Sequence, residues 1–159
     1  MTVTVKLDID EVDELYLYAL QKRDWFDANW DYSTGRTKYD RLVYEMAGRA
    51  GEYAVAKYLH VPFIKNIEGD LDGDVAGYQV KTATCHAYNL MTHDQSPRGV
   101  YIFATCEHPA EVRLHGWIAL MDTIDASRKR HDLPRAPYVT PKKYLRPMDT
   151  LPALARHRS

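Results

Sequence analysis

A short acidic stretch, followed by a strand-like run with one lysine, is the part of this sequence best suited to chemistry. Its acids stand at alternating positions, Asp70, Asp72 and Asp74, and Lys81 follows within a run of β-forming residues. Lysine is depleted within strands and is rarely buried. A divalent cation held by the acids, with the lysine serving chemistry beside it, would account for this combination of residue types.

Four side chains from three segments form a candidate site. Gln79 and Lys81 are two residues apart, so they share one face of a strand, and Asp74 lies just across a turn at Gly77. Glu52, in an upstream helical segment, is the fourth member. Carboxylate and amide oxygens are hard ligands suited to Mg²⁺ or Mn²⁺. Such a cation activates water and neutralises charge on a phosphate, and a lysine beside it stabilises the transition state.

The acidic stretch has two other interpretations. An Asp-x-Asp-x-Asp run that begins at Asp70 resembles the start of a calcium loop, which requires glycine at its sixth position and glutamate at its twelfth. Val75 and Lys81 stand at those positions, which excludes that loop. An acidic surface turn without a ligand is the remaining alternative. His93 and Asp94, further along the chain, are interpreted as loop residues.

Length and composition indicate one globular domain. The chain has 159 residues, of which 45% are hydrophobic and 27% charged, and its net charge is −1. Its apolar runs are shorter than the roughly 20 residues of a membrane span, so no membrane association is expected. Two cysteines, Cys85 and Cys106, and a first segment unlike a signal peptide predict reduced thiols and a cytoplasmic location.

Charge is distributed unevenly along the chain. Residues 1–31 hold eight acids and three bases, whereas residues 127–159 hold nine bases and two acids. A basic segment can bind a polyanion such as DNA by releasing counterions. A solvated basic tail is the alternative interpretation of the same residues.

Hydrophobic periodicity, capping residues and turn residues predict two helices, about five strands and a further helix. The predicted elements are an edge strand over 3–7, a helix from Asp8 or Asp10 to about Trp30, a helix from about Thr37 to Leu59, a strand over 61–67, a hairpin over 71–84 that turns near Gly77, strands over 100–106 and 112–121, a helix from Asp122 to about Arg130, and a helix start at Thr140. Residues 85–98 are predicted to be a polar connection with a short helical piece. Gly48 and Gly51 interrupt the second helix and indicate close packing there. The fold class is therefore α/β or α+β, a central mixed sheet of about five strands flanked by helices.

The order of these motifs resembles that of a known family. Glu52 stands in a helix (Gly51 to Leu59), Asp74 precedes a turn, and the strand motif Gln79-Val-Lys-Thr-Ala83 follows, with two later strands, Val100–Ala104 and His115–Ala119. This arrangement resembles the PD-(D/E)xK superfamily of metal-dependent nucleases. The segments Tyr138–Pro141 and Leu145–Met148 are similar to those of small phage- or prophage-encoded members. The resemblance covers roughly residues 40–150, and residues 1–36 would be an N-terminal helical extension of the same single domain.

The resemblance implies a restriction-endonuclease-like core and a role for each matching residue. Glu52 and Asp74 would bind Mg²⁺ or Mn²⁺, together with Gln79 and the backbone carbonyl of Val80. Asp72 is the first alternative to Asp74, and Asp70 is the second. Lys81 would assist catalysis. Gln79 departs from the family pattern, which usually has an acid there, and an amide oxygen ligates a cation without neutralising it.

The function implied is a metal-dependent deoxyribonuclease, related to phage proteins, that hydrolyses DNA phosphodiester bonds. Its partner would be DNA, it would form a homodimer or a higher oligomer, and a phage-encoded copy would work in the host cytoplasm. Two alternatives remain open. One is a catalytically weak or inactive protein of the same fold that binds DNA or a protein, which Gln79 favours. The other is a structure-specific resolvase of Holliday junctions.

Overall fold

A five-stranded sheet with two long helices on one face forms the body of the molecule. The computed structural model describes residues 2–29, 38–65 and 74–154. Its elements are β1 (Val3–Lys6), α1 (Ile9–Asn29), α2 (Lys38–Leu59), β2 (Asp74–Val75), β3 (Tyr78–Ala83), β4 (Leu90–Thr92), β5 (Val100–His108), β6 (Glu111–Ala119), α3 (Leu120–Thr123) and β7 (Tyr138–Thr140). Three single 3₁₀ turns follow α3 or β7, at Ala126–Arg128, Lys142–Tyr144 and Met148–Thr150.

The sheet is mixed, as the sequence predicts. Its strand order is β1-β6-β5-β3-β2, and a separate two-stranded sheet joins β4 to β7. The pairs β1–β6, β5–β6 and β2–β3 are antiparallel, whereas β3 and β5 run parallel. A parallel pair requires a long crossover between its strands. Residues 84–99 form this crossover and contain β4, not the predicted helical piece.

Helix α1 begins where a reciprocal cap satisfies its first free amides. The Glu11 backbone N–H donates to Asp8 Oδ1 at 2.8 Å, and the Asp8 N–H donates to Glu11 Oε1 at 2.9 Å. This is a capping box, and it selects Asp8 of the two predicted caps. Lys57 in α2 donates to Glu11 Oε1 at 2.8 Å, which ties the end of α2 to the start of α1.

Helix α2 packs directly on the sheet. Ala50, Ala54 and Val55 are fully buried against a core that includes Val80 of β3 and Ile102 of β5. Small residues on this face allow the helix backbone to approach the strands closely. The opposite face of the sheet carries a second, smaller core around Tyr101 and Phe103, which β4, α3 and the C-terminal segment cover.

The close packing predicted at the two helical glycines is confirmed at Gly51 and not at Gly48. A Cβ atom at Gly51 would lie 1.9 Å from Thr82 Oγ1, so α2 touches β3 at this point. A Cβ atom at Gly48 would meet nothing within 4 Å. Gly51 therefore fixes where α2 sits on the strand that carries Lys81.

The strand predicted over 61–67 is wrong for residues 61–65, and residues 66 and 67 lie outside the described ranges. His60 has a positive φ of 56°, and the Val61 N–H donates back to Ala56 O at 3.0 Å, which ends α2 in a left-handed cap. The chain then turns so that the Phe63 ring packs against Tyr18 and Tyr53 at centroid distances of 5.8 and 5.1 Å. Aromatic packing on the helices replaces strand pairing here.

The helix predicted from Asp122 to Arg130 is also wrong, because α3 ends at Thr123. The Thr123 hydroxyl donates to Leu120 O at 2.7 Å, and Asp125 Oδ1 accepts from the Ser127 N–H at 2.9 Å to start a separate 3₁₀ turn. Side chains of this kind compete with helical hydrogen bonds. The helix start predicted at Thr140 is a single 3₁₀ turn after β7, which itself ends at Thr140.

Candidate functional site

The hairpin of β2 and β3 sets the register of the predicted motif. Asp74 pairs directly with Gln79, and Val75 pairs with Tyr78. The two residues between the strands, Ala76 and Gly77, have positive φ values of 53° and 89°, as a tight two-residue turn of the I′ type requires. This turn confirms the one predicted near Gly77.

Positions 74, 79 and 81 belong to one face of the hairpin. Directly opposite residues of an antiparallel pair share a face, and so do residues two apart on a strand. Tyr78 and Val80 point to the α2 side and are buried, whereas Gln79 and Lys81 lie on the other face and are half-buried. The backbone alone is described for Asp74, and the alternatives Asp70 and Asp72 lie outside the described residues. The Val80 carbonyl stays a predicted ligand.

Glu52 approaches the same hairpin from its other side. With Val75, Ala76 and Pro62 it lines a small cavity of about 40 Å³ next to the turn. Its carboxylate is buried, and Glu52 Oε1 lies 3.0 Å from Arg49 Nη2. Helix periodicity explains the pair, because residues three apart occupy one face of a helix. Glu52 therefore has a cationic partner within α2.

Glu52 and Lys81 thus lie on opposite faces of β3. Groups from the two faces can meet at one ion only beyond the edge of the sheet, next to β2. In the part of the chain that the structure describes, β2 is the last strand in the order and has no further strand beside it. The free edge at Asp74 and Val75 is consequently the place where an ion could contact both groups.

The donor set fits a loosely held hard cation. Among the described residues, no three acidic, histidine or cysteine side chains come together. Mg²⁺ commonly keeps several waters and takes one or two carboxylates from the protein. Glu52 and Asp74, with the Gln79 amide oxygen, match that requirement, whereas a fully protein-enclosed ion would need more ligands than these.

Lys81 lines a larger cavity at the end of β3, to which residues from both faces of the sheet contribute. This cavity has a volume of about 310 Å³, and its other lining residues include Tyr44, Tyr88, Asn89 and Met91. Tyr44 comes from α2, and the other three come from the crossover that contains β4. The crossover that the parallel pairing of β3 with β5 requires therefore forms one wall of this cavity, and α2 contributes to another.

Two further groups near Lys81 were missed or undervalued from the sequence, namely His93 and Arg135. Burial and the positive charge of Arg135 lower the pKa of His93, and the charge of Lys81 lowers it further. These effects favour the neutral form of the His93 imidazole, and His93 lies in a loop after β4, as the sequence predicts. Separate segments supply the three residues, so no local spacing could have grouped them.

A buried hydrogen-bond chain lies further along the same face. Thr105 Oγ1 is 2.6 Å from His86 Nδ1 and 2.6 Å from His115 Nε2, and Thr105 is fully buried. Burial, followed by the positive charge of Lys142, lowers the pKa of His115 to about 4. Lys142 also donates to His86 O at 2.6 Å. This chain joins β5, β6 and the crossover, and its members hold one another in place.

Several bases of the C-terminal segment already have partners. Lys129 Nζ lies 3.0 Å from Asp94 Oδ2, and Arg130 Nη2 lies 2.6 Å from Asp132 Oδ2. The guanidinium of Arg146 stacks on Trp117 at 5.2 Å. Of these three contacts, the Lys129–Asp94 pair alone offsets the excess of positive charge seen in the sequence, because Asp132 belongs to the same basic segment and Trp117 is uncharged.

Comparisons with known proteins leave the site to be interpreted from its chemistry. No protein-family model matches the chain, and searches of curated proteins and of solved structures likewise gave no match. Of the helices in the described ranges, none has both the length and the apolar character needed to cross a membrane.

Proposed function

We propose that the protein is a metal-dependent deoxyribonuclease related to the PD-(D/E)xK superfamily. The observation that carries the proposal is the register of the β2–β3 hairpin, in which Asp74 pairs with Gln79 and Lys81 follows on the same face. This register supports the proposal because it gives positions 74, 79 and 81 one face of the hairpin, where an acid, an amide and a lysine would act together. Glu52 adds a second carboxylate from α2 beside the same turn.

Each residue of the candidate site has a distinct role in this proposal. Asp74 and Glu52, with the Gln79 amide oxygen, would hold Mg²⁺ or Mn²⁺, which supplies a water of lowered pKa and a positive charge near the phosphate. The Lys81 ammonium would hold a non-bridging phosphate oxygen and stabilise the charge that develops there.

A specific observation favours the second candidate, a nuclease-like fold that binds DNA without cutting it. The Glu52 carboxylate is engaged with Arg49 at 3.0 Å, and position 79 is an amide. With both ligands weakened, the cation affinity would fall while the basic groups around Lys81 still attract phosphate. A junction resolvase shares the proposed chemistry and differs in substrate.

The deciding experiment is a cleavage assay on four DNA forms. Plasmid, linear duplex, single-stranded and four-way-junction DNA are incubated with the purified protein and Mg²⁺ or Mn²⁺. We expect cleavage of at least one form, and a loss of at least about 100-fold in Asp74→Ala and in Lys81→Ala. The matched controls are Asp13→Ala and Lys143→Ala, which remove exposed side chains away from the hairpin.

The outcomes separate the candidates. Preferential cutting of the junction would identify a resolvase, and sedimentation of the same sample would show whether two copies act together. Binding of DNA with no cleavage of any form would favour the non-cutting candidate and refute the nuclease. Cleavage that persists undiminished in both site variants would refute the proposed residues.

A further inference from the structure

The cavity beside Lys81 has features that cleavage of a phosphodiester does not require. Its volume of about 310 Å³ is at the small end of the range of about 300–1,000 Å³ that is typical of ligand sites. Three of its lining residues keep about half of their surface exposed, namely Tyr44 (48%), Tyr88 (54%) and Met91 (49%). An exposed aromatic pair at the mouth of a cavity is a surface on which a flat ring can stack.

The polar groups of the cavity suit a ring that carries hydrogen-bonding edges. Asn89 contributes an amide, which both donates and accepts, and Thr84 contributes a hydroxyl. None of its lining residues is acidic, and Lys81 supplies a positive charge. An uncharged heteroaromatic ring attached to a phosphate matches both the walls and the charge.

We propose that this cavity holds one unpaired nucleobase of the DNA whose phosphate lies at Lys81. This inference rests on the proposed function, because it takes DNA as the ligand. A base in a duplex is stacked on its neighbours and presents only its edges in the grooves, so it cannot enter. The protein therefore selects single-stranded DNA, or a strand end or branch point where a base is free.

Tyr88 is the residue that tests the proposal most directly. Its ring is more than half exposed, so its truncation leaves the core intact. Stacking of a base on an aromatic side chain is worth enough that removal of the ring lowers affinity roughly tenfold. Tyr16 offers a matched control, because it is 44% exposed and lines a second cavity, which α1, α2, Thr84 and the end of β5 enclose.

The experiment measures binding of a fluorescent oligonucleotide by anisotropy in EDTA, where no cleavage occurs. It compares a single strand, the same strand as a blunt duplex, and the single strand with one abasic position. We expect the wild type to bind the single strand more tightly than the duplex. Tyr88→Ala should lose about tenfold on the single strand and nothing on the duplex. Tyr88→Phe and Tyr16→Ala should behave as the wild type does.

The strand with one abasic position tests the same contact from the side of the DNA. Removing the base should weaken binding to the wild type and leave binding to Tyr88→Ala unchanged, because both changes delete the same contact. Equal losses on single strand and duplex in Tyr88→Ala, or no loss on either, would overturn the inference. A wild type that cuts no DNA but prefers single strands in a Tyr88-dependent way would refute the nuclease proposal and support the base-binding cavity. Normal cleavage by the wild type, with binding that does not depend on Tyr88, would refute the base-binding cavity and leave the nuclease proposal standing.

Discussion

Arg49 and Glu52 form a buried ion pair one turn apart in α2, with Arg49 Nη2 3.0 Å from Glu52 Oε1 and side chains that are 7% and 9% exposed. The carboxylate proposed to hold a metal is therefore already neutralised by a cation of its own helix. A bound metal ion and the arginine would share this carboxylate. The state of the pair thus decides how much Glu52 can contribute to an ion at the β2 edge.

The stability of the fold should depend on both members of this pair. Arg49→Met leaves a buried carboxylate without its arginine and should lower the free energy of unfolding by about 3–5 kcal/mol. Arg49→Met combined with Glu52→Gln should recover much of that loss, because neither position of the pair then carries a charge. Urea unfolding in EDTA measures both effects. An Arg49→Met protein that is as stable as the wild type would show that the ion pair is not formed in solution.

Metal binding should be visible as thermal stabilisation. A ligand that binds the native state and not the unfolded chain stabilises the fold, so millimolar Mn²⁺ or Mg²⁺ held at the β2 edge should raise the melting temperature by mass action. Asp74→Ala should lose most of this shift, and Asp13→Ala, on the exposed side of α1, should keep it. Differential scanning fluorimetry with and without EDTA measures the shift. An equal shift in all three proteins would show that the ion binds elsewhere.

The two glycines of α2 should respond to alanine in opposite directions. Gly48→Ala meets open space and gains helix propensity, so it should stabilise the protein by about 0.5–1 kcal/mol. Gly51→Ala puts a Cβ 1.9 Å from Thr82 Oγ1, which forces α2 away from β3 and should cost about 1–3 kcal/mol. Chemical denaturation of both variants measures the difference. The cost at Gly51 should shrink in a Thr82→Ala background, and an unchanged cost there would contradict the contact.

Stability should fall on acidification because of His115. Burial and the charges of Lys142, His86 and Arg113 lower its pKa from 6.5 to about 4. The unfolded chain therefore binds the proton more readily than the native protein does, and stability increases with pH across this interval. The stability that this pKa difference contributes is fully present above the pKa of 6.5 in the unfolded chain, and it is lost as the pH falls toward about 4.

The size of this effect follows from the shift and from the partial exposure of the ring. Each pKa unit corresponds to roughly 1.4 kcal/mol, and solvent screening reduces the total to on the order of 2 kcal/mol. Unfolding free energies of the wild type and of His115→Gln, measured from pH 4 to pH 7, test it. His115→Gln should have a flatter acid limb, and parallel profiles would assign the loss of stability to other groups.

Most helices and strands could be predicted because their signals are local. The capping residues around Asp8, the apolar spacing of α2 and the turn at Gly77 each act within a few residues. The wrong predictions of a helix and a strand also have local causes, which hydrophobic periodicity does not reveal. Thr123 and Asp125 bond to the backbone and stop a helix, and Phe63 packs on the helices instead of joining the sheet.

The candidate site likewise combines relationships that are local in the sequence with relationships that only the tertiary structure creates. The sequence by itself determined that Gln79 and Lys81 share a face and that Asp74 lies across a turn from them, because strand alternation and a two-residue turn are local geometry. Only the tertiary structure decided that Glu52 pairs with Arg49 and reaches the hairpin from the opposite face. It also decided that Lys81 lines a cavity with Tyr44 and Tyr88, and that the charges of Arg135 and Lys81 act on His93. These neighbours come from segments far apart in the chain, and the packing of α2 and the parallel pairing of β3 with β5 bring them together.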